Sequence, residues 1–349
     1  MKKKIAWLLL FGALFCAAES FSASPSILSI TGLVKQPSNL TVEDLNRYQS
    51  IQVQLNEVTE DGGYHGVFYY SGVPLRTLLE LASIEKEETA FSKRVDLAIL
   101  VRSKQGKQIA LSWGEVFYRN PSEIIVATSA VPIMPHHDCK ACHAPEVYKP
   151  RLDQLQRKIG FPKLVISGDT YADRSLEEVM SIKVLDLRPK MPAKKLKKLF
   201  SPEFTIRDTV GKTLTFKDLS PYPRKAMKVK HLGEGKGYHG IDKVEGACFK
   251  AILDEAKIVP DLCKVFLVSA PDGYRALFSY GEIFFNPAGE RMIVADRING
   301  QPIEKGGKFV LVQPGDLMAD RHVKSIKKIE VISVRQKPNR DHSRAQFQL

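Results

Sequence analysis

Cys139, Cys142 and His143 stand in the run Cys-Lys-Ala-Cys-His. Two thiols at this spacing can add to the vinyl groups of a porphyrin, and an imidazole directly after the second can ligate the iron. That is what attachment of a c-type haem requires. The same donors admit two other readings. His136 and His137 precede the run, so a tetrahedral nitrogen and sulfur set for zinc can be assembled from His136, Cys139, Cys142 and His143. The two cysteines alone make a disulfide or a reactive dithiol. No second CxxC is present to build a zinc ribbon, so one covalent haem c is the preferred cofactor and zinc the alternative.

With haem bound, His143 is the proximal ligand and the distal position has three candidates. Met191 opens a Met-Pro element like the one that supplies a distal sulfur in many small cytochromes c, although it also reads as a plain linker methionine. His65 lies in Gly-Tyr-His-Gly, yet His239 repeats that tetrapeptide in a stretch without CxxCH, which favours a turn role for both. Met134, like His136 and His137, is so close to the proximal side that reaching across the haem plane is difficult.

The compartment suits haem attachment. Lys2, Lys3 and Lys4 lead an apolar stretch from Ile5 to Ala18, and small residues between Ala17 and Ala23 offer cleavage points, so residues 1–23 read as a secretory signal. Cys16 invites a lipoprotein reading, but Phe15 stands before it where a small residue is wanted. No later stretch has the roughly 20 apolar residues a transmembrane helix needs. The expectation is an exported, periplasmic protein with no transmembrane segment in its mature chain.

Four cysteines remain after the signal, too few for a disulfide scaffold, so the core must come from burial. The formal charge of +13 suits docking of a redox partner with an acidic surface, and nucleic acid is excluded for an exported chain. The densest basic run, 194–198, sits in a linker and also reads as a solvated connector.

Laid on itself, the chain repeats. Gly63 to Val67 recurs as Gly237 to Ile241, Leu111 to Glu115 as Phe278 to Glu282, Gly168-Asp169 as Gly315-Asp316, and Ala172 to Arg174 as Ala319 to Arg321. The offset is 168 at Ala127 and Ala295 but 147 at Asp169 and Asp316, so the first repeat holds 21 extra residues, with CxxCH among them. The organisation expected is a first repeat at 26–187 with an insert at about 132–158, a basic linker at 188–202, a second repeat at 203–334 and a disordered tail at 335–349. The repeated Asp173-Arg174 and Asp320-Arg321 read as residues that cap and pin a helix start.

Ile51, Val53 and Leu55 alternate as one face of a strand, Val95 to Val101 and Lys163 to Ile166 read as buried strands, and Thr41 with Asp44 makes a capping box. Short helices among many strands predict an α+β domain made twice, with mixed sheets.

The runs "LSITGLVKQPSNLTVEDL", "YYSGVPLRTLLELA" and "GFPKLVISGD" resemble the oxidoreductase molybdopterin-binding domain of the sulfite-oxidase type. The resemblance implies two tandem domains of that fold, over 26–187 and more faintly over 203–334. It also implies a molybdenum held by a cysteine thiolate in the loop after the strand at Ile51 to Val58. Here that stretch is Leu55-Asn56-Glu57-Val58, and the second repeat has Lys230-His231-Leu232-Gly233, so the soft ligand is missing and molybdopterin is not expected.

The expected function is monohaem electron transfer on a scaffold that has lost its molybdenum cysteine. The alternatives are a molybdopterin- or metal-dependent oxidoreductase with a haem relay, and a zinc-binding interaction module without redox activity.

Overall fold

The computed structural model describes residues 27–86, 91–133, 157–188, 190–233, 237–304 and 307–336. The first half contributes nine strands: β1 (Leu28–Gly32), β2 (Ser38–Leu40), β3 (Ile51–Val58), β4 (Tyr64–Pro74), β5 (Leu97–Ser103), β6 (Gln108–Ser112), β7 (Ile124–Pro132), β8 (Lys163–Ile166) and β9 (Val179–Asp186). They form two sheets, ordered β2-β1-β9-β5-β6 and β3-β4-β7-β8.

The second half continues with β10 (Phe204–Arg207), β11 (Thr213–Phe216), β12 (Arg224–Gly233), β13 (Gly237–Cys248), β14 (Lys264–Ser269) and β15 (Arg275–Ser279). After these come β16 (Ile293–Ile298), β17 (Gln301–Pro302), β18 (Val310–Val312), β19 (Val323–Lys324) and β20 (Lys328–Ser333). Its sheets run β11-β10-β20-β14-β15 and β12-β13-β16-β18-β19, with β17 beside β16. The first order matches its counterpart strand for strand, down to one parallel pair in each, β1 with β9 and β10 with β20.

The expected α+β class is corrected by this architecture, which is mostly β. The longest helix among the described residues, Leu75–Ala82, has eight residues and buries Leu75, Leu78, Leu79 and Ala82 on one face. Ser83 ends it in the left-handed region, at φ 56°. The other apolar runs are strands covered on both faces; all but one residue of β5, Leu-Ala-Ile-Leu-Val-Arg-Ser, is buried. Helical periodicity was thus real but lasted only one or two turns, while β-branched and continuous apolar segments took the rest of the chain.

Four apolar cores follow. The largest joins both halves, with Leu111 and Val126 from one and Phe278 and Val294 from the other. A second lies on the opposite face of β5 and β6, where Ala98, Leu100 and Ala110 meet Val265, Leu267 and Leu277. The remaining two cover the outer faces of β3-β4-β7-β8 and β12-β13-β16-β18.

Reciprocal contacts hold the halves together. Ser112 and Ser279 each cap a short helix, Trp113–Phe117 and Tyr280–Phe284, through capping boxes with Glu115 and Glu282. Arg174 binds Glu115 at 2.8 Å and Asp169 at 2.6 and 2.7 Å, and reaches Ser279 of the other half at 3.4 Å. Arg321 mirrors it, bound to Glu282, to Asp316 and, at 3.0 Å, to Ser112. The repeated Asp-Arg pairs do not cap the short helices they lie in; only their arginines act at helix starts, reaching the capping serine of the opposite half. Gly114 and Gly281 leave the space for them: a Cβ at Gly114 would stand 2.2 Å from Arg321 Nε, and one at Gly281 2.1 Å from Arg174 Cδ.

Candidate functional site

The alternation of β3 places Val53, Leu55 and then Glu57 on its buried face. A carboxylate in that position needs partners. It has three: Tyr70 on β4 donates at 2.5 Å, Lys163 on β8 forms an ion pair, and Arg157 reaches the second oxygen at 2.8 and 3.1 Å. Lys163 also lies 2.9 Å from the Tyr70 hydroxyl and 3.3 Å from Glu177, whose other oxygen accepts from Gly160 N at 3.0 Å. Arg157 closes the cluster by pairing with Glu177.

Two acids and two bases balance in this cluster, and its electrostatics follow. Burial pushes Glu57 up, but Lys163, Tyr70 and Arg157 outweigh it and hold the carboxyl below its ordinary range. Glu177 is likewise net lowered, by Gly160 N–H, Arg157 and Lys163 against burial. Burial, with the bond to Glu57, raises Tyr70 and keeps it a protonated donor. Removing one member of such a set leaves a buried charge uncompensated. Lys163→Met is therefore expected to cost about 3 kcal/mol in urea unfolding. A loss below about 1 kcal/mol would mean that Arg157 alone neutralises both acids.

This cluster sits at the root of the CxxCH segment. Residues 134–156, with Met134, His136, His137, Cys139, Cys142 and His143, lie outside the described residues. The chain on either side of them is tied to one end of a single sheet. Ile133 N donates to Val67 O on β4 at 2.8 Å, and Arg157 binds Glu57 on β3. Asn56 and Val67 are direct cross-strand partners, so the two roots flank the same strand pair.

Of the described distal candidates, His65 is exposed on β4, two residues from Val67. Met191 is elsewhere. It packs against the core formed by Ala98, Leu100 and Val265, behind β5 and β6, with the main core between it and the β3-β4-β7-β8 sheet. The structure thus brings His65 beside the roots of the segment and sets Met191 apart from them. Glu57, Lys163 and Arg157 were missed in the sequence, although the β3 alternation already assigns Glu57 to the inside.

The register equates Glu57 with His231, because Ile51 pairs Gly72 as Lys225 pairs Gly246. His231 meets the edge of His322, with ring centroids 5.9 Å apart at 87°, and lies 3.1 Å from Asp242. His322 Nε2 is 3.2 Å from the Gln313 carbonyl. Burial pushes His322 down to about 4 despite that carbonyl, and the neighbouring His231, Arg321 and Lys324 add to the effect. Between that value and the ordinary 6.5 the unfolded chain takes up a proton that the folded chain refuses. Stability should therefore fall as pH drops from 6.5 to 4, by about 3 kcal/mol at most at 1.36 kcal/mol per unit. His322→Gln should flatten that part of a pH series of unfolding curves, and an unchanged slope would assign the loss to other groups.

Among the described residues no group of three or more His, Cys, Asp or Glu is placed to hold a metal. Cys248 and Cys263 are buried free thiols. Cys263 lies against the Gln108 carbonyl at 3.2 Å, and burial raises its thiol to about 11. No described helix is long and apolar enough to cross a membrane.

No protein-family model matches the chain, and no curated protein matches it in sequence. Among solved structures it is similar to the sulfane dehydrogenase SoxCD from Paracoccus pantotrophus, at 13% identity over 86% of this chain and 77% of that one, with a TM-score of 0.31.

Proposed function

We propose that this chain is an exported monohaem c-type protein that passes single electrons. One observation carries the reading: Cys139-Lys140-Ala141-Cys142-His143 lies between β7 and β8, in a stretch that the sister half lacks. The sister sheet forms without such a stretch, which leaves these thiols and this imidazole available for chemistry. Cys139 and Cys142 would hold the group through two thioethers and His143 would take the proximal position, a donor set that fits haem c and leaves no donor of the run unused. When bound, such a haem supplies a one-electron carrier whose potential is set by axial ligand and burial. For the distal position His65 is preferred to Met191, because it is exposed beside the strand from which the segment departs.

The test is a pyridine haemochrome assay with metal analysis, on protein made in a host that matures c-type cytochromes. One covalent haem per chain is expected. Stoichiometric zinc without covalent haem would refute the proposal in favour of an interaction module, and molybdenum would do so in favour of an enzyme. Replacing His65 and Met191 in turn should alter the haem spectrum only for His65.

A further inference from the structure

We propose that the exposed face of β12, β13 and β16 docks a protein partner whose own surface is acidic. What that partner does rests on the electron-transfer reading; the docking face itself rests on the charges described here.

Equivalent faces of the two halves differ in one respect. On β3, β4 and β7 the outward positions are Gln52, Gln54, Asn56, Tyr69, Ser71 and Ser129, all uncharged. The matching face of the second half carries Arg224, Lys228, Lys230, Lys243 and Arg297, against Glu245 and Asp296. Arg224 pairs with Asp296, and Lys243 with Glu245 at 3.0 Å. Lys228, Lys230 and Arg297 form no ion pair with any described residue.

Two explanations that need no partner fail. Lysine on an edge strand blocks edge-to-edge pairing, and β12 is an edge strand. So is β3, which keeps Gln and Asn at the equivalent positions. Nor do the lysines stabilise the sheet. Lys228 stands directly opposite Lys243, a like-charge cross-strand pair that costs stability, where the first half pairs Gln54 with Tyr69.

An excess of positive charge that the fold does not need is complementary to carboxylates. Ile241, opposite Lys230, and Tyr238, opposite Leu232, both more than half exposed, add an apolar end to the charged face, toward the β12–β13 turn. Glu245 and Asp296, paired with Lys243 and Arg224, break the positive face into a fixed pattern that a protein surface can match, a pattern of which a uniformly anionic membrane makes no use.

The experiment uses the mature holoprotein and a carboxylate-terminated alkanethiol monolayer on gold, with adsorption read by plasmon resonance and electron transfer by voltammetry. Lys228→Gln with Lys230→Asn installs the residues of the first half. Lys195→Gln with Lys197→Gln removes the same charge from the exposed linker. The sheet variant should adsorb about tenfold more weakly at low ionic strength, with the difference vanishing near 1 M salt, and its melting point should not fall. The linker variant should adsorb like the parent.

Equal weakening in both variants would overturn the proposal, since net charge alone would then explain binding. Undiminished adsorption of the sheet variant would overturn it too. Tight binding of the parent to phosphatidylglycerol vesicles, lost in the sheet variant and without adsorption to the monolayer, would replace the protein by a membrane. Site-dependent adsorption with no faradaic current would uphold the docking face and count against electron transfer.

Discussion

Arg321→Met is expected to lower the stability of the chain by about 3–5 kcal/mol, enough to bring its melting point down by roughly 10 °C. The guanidinium is fully buried, binds Asp316 and Glu282 at 2.6 to 3.0 Å, and lies over the Phe278 ring at 4.6 Å. Without it two carboxylates stay in the core with only Arg119 near, 3.5 Å from Glu282. Burial already raises Asp316 against the pull of Arg321, so in the variant this group should take up a proton on folding. A raised folded-state value stabilises at low pH and is lost as pH rises. The penalty should therefore be small near pH 4 and grow toward neutrality. Adding Asp316→Asn and Glu282→Gln should recover much of it, because an uncharged hole is cheaper than an unpaired charge. A neutral-pH loss under 1 kcal/mol in guanidinium unfolding would contradict the account.

The second large effect falls on the cofactor. Cys139→Ala combined with Cys142→Ala should abolish covalent haem entirely, leaving no haem stain on a denaturing gel, while the β-sheet circular dichroism persists. The second half supports this separation of roles. It builds β12, β13, β16 and β18 with only residues 299–309 joining the last two, so the sheet does not need a CxxCH segment to form. Loss of folding along with the haem would show instead that the segment is structural. Retention of covalent haem would refute the attachment sites.

Much of the frame was legible before any coordinates. The duplication was visible as motif pairs, and Lys163–Ile166 and the capping box at Thr41 are where local pattern puts them. Two kinds of information were hidden. The helical windows carry a true 3.6 period, but the lengths at which it stops depend on tertiary packing, and so the class was misjudged. Arg174 and Arg321 each have one partner five residues away, but their other partners are distant, 59 and 105 residues for Arg174, and nothing local marks a side chain that leaves its own half. Glu57 lies between these cases. Its place on the buried face could be counted out from Ile51, yet its partners Lys163 and Arg157 are about a hundred residues away.

The glycines at 114 and 281 make each half a keyhole for the other's arginine. A change at either keyhole is felt by the opposite half, so the two cannot drift independently there, and neither can be exchanged alone for a foreign copy. Away from that lock the halves are free to part company. They differ in two places, the join between β7 and β8, where the first half holds two extra cysteines, and the exposed face of β12 and β13, where the second half carries lysines. What is shared between the halves keeps the molecule together, and what differs between them is where its work should be sought.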